Sequence, residues 1–287
     1  MFNLFEQISN WIQEGLVDAV MDAFASLFDS VNRQVGEVAT NIGQTPAEFM
    51  PGVFDMIRNL SNTVIVPIAG VILTFVMTYE LIQMILEKNN MHDFDTFNIF
   101  KWIFKTFVAV LILTNTFDIV MAVFELAQNV IEQSAGIIGG SLDVGLALDD
   151  LRPVLEEMSV WSLMGLWLEI QIVGLLMSVL SIAVFVVVWG RMIEIYLTIS
   201  VAPIPFATMV NREWGNMGNH YLKSLFAVAF QGFLIMVCIA IYAVLVQNIP
   251  GADNIHSAAW LTVGYTVLLV FALFKTGSLA KSIFSAG

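Results

Sequence analysis

Residues 189–223 read WGRMIEIYLTISVAPIPFATMVNREWGNMGNHYLK. The stretch is apolar enough to sit at membrane depth, yet Pro203 and Pro205 interrupt it near the middle. Proline removes a backbone donor and clashes with the preceding turn, so no straight helix runs through Ala202-Pro203-Ile204-Pro205. Cations mark both margins, Arg191 on one side and Arg212 and Lys223 on the other. In hydrocarbon, broken backbone survives only where protein or trapped water satisfies the freed carbonyls. The segment therefore reads as an interface or pathway element, not a lipid-facing one.

The rest of the chain sets that segment in a membrane. Its 287 residues are 58% hydrophobic and only 12% charged, which departs from the composition of soluble domains. The apolar runs are long enough for a hydrocarbon core that takes about 20 residues of helix to cross. The expected fold class is all-α integral membrane, with about five transmembrane helices. The first residues lack a cationic region ahead of an apolar core, so no cleavable signal peptide is expected. The single cysteine, Cys238, rules out an intrachain disulfide. A net charge of −13 is concentrated in the first third and in the segment after the second span. Nucleic-acid grip needs the opposite sign, because affinity rests on neutralising phosphates.

The chain divides into residues 1–60, an acidic amphipathic helix and linker, and residues 61–287, a polytopic transmembrane domain. Apolar positions from Phe2 to Phe28 recur at helical spacing, with Glu6, Glu14, Asp18, Asp22 and Asp29 opposite. Surface-lying membrane helices carry Lys or Arg on that face. An acidic face suits docking on protein, or packing on the helix's own domain, at least as well as lying on lipid. Thr45-Pro46-Ala47-Glu48 has the residues of a reciprocal helix cap. Spans are expected at 64–86, 102–124, 161–189, 222–246 and 258–279. The helical spacing of the second continues through Val130 and Ile131 into a loop region at 125–160.

Lys and Arg set the orientation. With five spans, Lys88, Lys101, Lys105, Arg191, Arg212, Lys223, Lys275 and Lys281 share one side, against Arg33, Arg58 and Arg152 on the other. That bias puts the N-terminus, residues 1–60 and the 125–160 loop outside, and the C-terminus in the cytoplasm. It also requires Arg191 and Arg212 to share a side, which makes residues 191–212 a Pro-broken re-entrant or interfacial hairpin. Six full spans would separate the two arginines and weaken the bias.

No catalytic, cofactor or metal site is expected. His92, His220 and His256 are scattered, too far apart in sequence for zinc-ligand spacing. P-loop, Gly-x-Ser-x-Gly and His-Glu-x-x-His patterns are missing, and Asp149-Asp150 reads as a helix start. The residues of interest are structural. Arg191 and Glu194 lie one turn apart, either as an interfacial ion pair or as a brace for the hairpin; Pro203, Pro205, Arg212 and Trp214 complete that set. Glu169, Gln171 and Gln231 are polar residues within spans. Either the third span starts after Glu169 and Gln171, or these face another helix or a neighbouring subunit. A secondary transporter would show internal repeats with two matching broken helices, and only one broken segment is present. A stand-alone solute transporter or ion channel is thus the alternative to a subunit of a larger machine.

Residues 189–242 carry a resemblance. Ala202-Pro203-Ile204-Pro205, then Trp214, Tyr221-Leu222-Lys223 and Phe230-Gln231-Gly232 resemble the core of TrbL-type polytopic proteins of conjugative type IV secretion systems, in the form carried on mobile elements of Gram-positive bacteria. The resemblance implies a non-enzymatic channel or scaffold subunit of a DNA-transfer apparatus in the bacterial cytoplasmic membrane, without cofactors. It implies a homo-oligomeric ring, contacts with other secretion subunits and cytoplasmic ATPases, and transferred DNA as cargo without sequence-specific binding.

Overall fold

A computed structural model describes residues 2–86, 96–138, 151–211, 213–249 and 255–286. The described residues are helical almost throughout, in the order α1 (Phe2–Ile42), α2 (Pro46–Phe49), α3 (Pro51–Leu60), a π-helical turn (Ser61–Ile65), α4 (Val66–Leu86), α5 (Thr96–Thr114) and α6 (Thr116–Ile138). After these come α7 (Arg152–Glu156), α8 (Val160–Val201), α9 (Pro203–Thr208), α10 (Gly215–Gln247) and α11 (Ile255–Ile283). Among the described residues, five helical stretches are long and apolar enough to cross a membrane: Pro51–Leu86, Phe97–Thr114, Val160–Val201, Gly215–Gln247 and Ile255–Ile283. The protein is an all-α integral membrane protein. Arg212, His92, Asp149 and Asp150, and residues 250–254 of the last connection, lie outside the described residues.

The helix starts follow local chemistry. The Thr45 hydroxyl accepts from the Glu48 N–H at 3.3 Å while the Thr45 N–H donates to the Glu48 carboxylate at 2.9 Å, with Pro46 at the first helical position. That backbone bond, with the Thr45 hydroxyl second, holds the Glu48 carboxyl below the usual carboxylate range. The apolar spacing that reads as one helix from 102 to 131 is divided at Asn115. There Thr114, Asn115 and Thr116 turn their side chains onto the carbonyls of residues 110–113. Such side-chain bonds compete with the helix ladder.

Two compact units contain these helices. The first comprises residues 1–42, 132–188 and 234–276. In it α1 buries Val17, Val20, Phe24, Leu27, Val31 and Val35. Asp18 pairs with Arg152 at 2.8 Å, and the Gln13 amide donates to the Glu156 and Met158 carbonyls. Further along, residues 19–30 of α1 face residues 170–178 of α8 across a cavity of about 410 Å³. Tyr242 of α10 and Thr266 of α11 share a hydrogen bond of 2.8 Å.

The second unit comprises residues 43–131, 189–233 and 277–287. One core joins Ile57, Phe117, Val120, Phe124, Ile195 and Ile199 with Phe206, Leu225 and Val228. A smaller one packs Ala69, Leu73 and Met77 of α4 with Ala109 and Leu113 of α5 and Ala207 of α9. The short α9 thus sits between the long helices as a wedge, and is almost wholly buried.

Candidate functional site: a buried arginine and a tied chain reversal

Helix α8 does not stop at Arg191. It continues ten residues beyond, to Val201, so Arg191 and Glu194 are interior helical residues. The chain reverses between the end of α8 at Val201 and the start of α10 at Gly215. Arg191 is 6% exposed. Its guanidinium Nη2 points at the Ala229 carbonyl of α10, 3.5 Å away. Space for it is made by Gly232: a Cβ there would lie 2.6 Å from Arg191 Nη2 and 2.6 Å from Ile131 Cδ1. An added methyl would have to push aside the ends of two flexible side chains, so the glycine of Phe230-Gln231-Gly232 makes room for the guanidinium. Arg191 Nε is buried without a hydrogen-bond partner among the described residues.

Glu194 is the nearest acid along α8, yet it forms an ion pair with Lys281 of α11, at 3.0 Å. Two cations thus converge on one carboxylate, Lys281 by contact and Arg191 from one turn away. Gln231 is buried too, at 7% exposure. Its amide lies 3.3 Å from where a Cβ on Gly277 would stand, so α10 and the end of α11 approach closely there.

The prolines act as helix starters. Pro203 occupies the first position of α9, where its missing N–H is one that an α-helix leaves unsatisfied anyway. Pro205 is buried, and its carbonyl accepts from the Thr208 hydroxyl at 2.8 Å. Opposite it, Gly218 brings α10 so near that a Cβ would lie 2.6 Å from the Pro205 carbonyl oxygen. The Asn211 side chain then accepts from the Glu213 and Trp214 N–H groups at 2.8 and 3.1 Å, ordering the entry into α10.

Trp214 stacks on Phe75 and Tyr79 of α4, with centroids 5.5 and 5.7 Å away. Glu213 accepts from Gln83 at 2.8 Å and from the Tyr79 hydroxyl at 3.3 Å. The Tyr221 hydroxyl donates to the Thr198 carbonyl at 2.9 Å. The reversal is therefore fastened to α4, α8 and α10 at once.

The other polar candidates lie in the first unit. Glu169 accepts from Trp260 Nε1 at 2.6 Å and pairs with His256, both on α11. Gln171 is exposed and lines the cavity facing α1. The structure thus brings together Arg191, Glu194, Pro203, Pro205, Trp214 and Gln231 within one unit, and Glu169 and Gln171 within the other. Sequence reading missed Gly218, Asn211, Glu213 and Lys281. Only Gly218 carried a signal, as the second glycine of Trp214-Gly215-Asn216-Met217-Gly218. Chemically, the site offers a fixed cation, a carboxylate bridge and a tightly packed turn, which hold helices in register.

Among curated proteins and among solved structures, nothing matches the chain. The family described as TrbL/VirB6 plasmid conjugal transfer like protein matches residues 31–203. The match runs from the middle of α1 through α8 and ends at Pro203, so Trp214 and Phe230-Gln231-Gly232 lie beyond it. It spans more than half of the chain, across α4, α5 and the longest helix. This membrane protein belongs to the TrbL/VirB6 plasmid conjugal transfer-like family, and is thus a conjugal-transfer component of the type IV secretion class.

Proposed function

We propose that the protein is a non-enzymatic channel or scaffold subunit of a conjugative secretion apparatus, assembled with copies of itself into a ring in the bacterial cytoplasmic membrane. The family match over residues 31–203, with five helices of membrane-crossing length, supports this reading, and the buried Arg191 set against Gly232 suits a structural role. A guanidinium nearly removed from water, with one nitrogen unpaired, costs stability unless its partners stay fixed. Its neighbours Ala229, Ile131 and Gly232 offer it a packed berth and no reacting group. The residue makes sense as a register lock between long helices.

The Lys and Arg distribution favours an outside N-terminus and a cytoplasmic C-terminus, within reach of the ATPases that would drive transfer. Other secretion subunits would meet the outside regions. The acidic segments, residues 1–60 and 125–160, would not retain a polyanion, which suits passage of DNA through the assembly. Purification of the full-length protein in mild detergent, followed by electron cryomicroscopy, tests the assembly. A closed ring of identical subunits is expected. A monodisperse monomer would contradict it.

A further inference from the structure

Helices α1 and α8 lie side by side in one unit and present opposite surfaces. In α8, 21 consecutive residues, 170–190, carry no charge, a length of about 30 Å that matches a hydrocarbon core. Glu169 with its partners His256 and Trp260 marks one edge of that zone. Within residues 170–188, the exposed side chains are apolar (Ile172, Leu175, Val179 and Ile182 among them) except Gln171 and Ser178. Those two exceptions both line the cavity that faces α1.

Across that cavity stand Asp22, Ser26 and Ser30 of α1, which places residues 19–30 at the depth of the half of the core nearer Glu169. The outward face of α1 is the reverse of α8's. From Glu14 to Thr40 every exposed position is polar or glycine; Asp22 and Ser26 border the cavity, and Asp18, Asp29 and Arg33 continue the stripe away from it. One side of this unit is dressed for lipid and the other for water, at one depth. Carboxylates there are tolerated only against a water-filled space or a polar partner.

We infer that the outward face of α1 lines a water-filled space within the bilayer, enclosed by the α1 helices of several copies of this chain. A single helix cannot wall off water from lipid, and closed symmetric oligomers are the ordinary way for one chain to do so. The stripe's acids outnumber its one arginine, so the space favours cations and does not hold a polyanion. The inference rests on the ring proposed above and on α8 spanning a bilayer; it stands whether or not the cargo is DNA.

Spin labelling of the full-length protein in liposomes tests it. In a Cys238→Ser background, nitroxides are attached at Asp29→Cys on α1, which is exposed and off the cavity, and at Leu175→Cys on α8. Collisions with a water-soluble nickel chelate and with oxygen are then measured. The expected pattern is nickel-rich at residue 29 and nickel-poor but oxygen-rich at residue 175. Nickel at both positions would place this unit outside the bilayer. Nickel exclusion at residue 29 would put α1 against lipid or a protein partner, and any pattern but the expected one overturns the inference. Arg33→Cys and Val179→Cys serve as the second pair if a first variant fails to elute as its parent does.

Discussion

A methyl group added at Gly218 would lie 1.9 Å from Met209 Cγ and 2.6 Å from the Pro205 carbonyl oxygen. A methionine side chain can swing away, but a backbone oxygen at a helix start cannot move without moving α9. Gly264, by contrast, has nothing within 4 Å of the same added atom. Gly218→Ala should therefore destabilise by about 1–3 kcal/mol, while Gly264→Ala should be neutral or slightly stabilising, as Ala is the better helix former. Thermal melts in detergent check the ranking, and equal effects would contradict it. At Gly232 the obstacles are two flexible ends, Arg191 Nη2 and Ile131 Cδ1. Gly232→Ala should cost less in an Arg191→Ala background than alone, a coupling of about 0.5–3 kcal/mol in a double-mutant cycle. Strict additivity would mean that the guanidinium does not occupy the glycine's space. Gly232 was visible in the sequence as part of a motif. Its reason was not, since Arg191 is 41 positions away and meets it only when α8 and α10 pack.

At the scale of elements, the Pro203-Pro205 segment was legible as a break, because proline chemistry is local. Its extent was not. Reading Arg191 and Arg212 as the two feet gave a hairpin over 191–212, whereas α8 continues as helix to Val201. Charge counting assumes that a cation near a span end sits in water. Arg191 is instead buried, by a glycine in another helix. The Asn115 division was missed for a related reason: apolar periodicity continues across it, and only the Thr114-Asn115-Thr116 side chains break the ladder. The prolines also make a prediction of their own. Replacing both with Ala restores two backbone donors and frees the unfolded chain, at about 0.4–1 kcal/mol per site, and lets α8 propagate through Ala202. The double variant should loosen the Trp214 stack on Phe75 and Tyr79, seen as lost near-ultraviolet circular dichroism, and should lower transfer efficiency. Unchanged dichroism and transfer would show that the break is not structurally required.

For the whole molecule, composition alone was enough to read a helical membrane protein, because 58% hydrophobic content admits few alternatives. The acidic helix α1 was harder. Its alternation was evident, but not that it packs beside the most apolar helix of the chain. That juxtaposition is tertiary, and it turns an acidic face into a statement about water in the assembly. In the proposed ring, a register lock at Arg191 would keep the long helices aligned. The central proposal is that the chain is a structural part of the transfer channel, with no share in processing the DNA. The most direct measurement deletes its gene from a donor strain and scores two events, strand nicking of the transferable DNA and its arrival in recipients. Nicking should persist while transfer is lost, and the intact chain supplied in trans should restore transfer. Transfer at the parental level without the chain, or loss of nicking with it, would contradict the account.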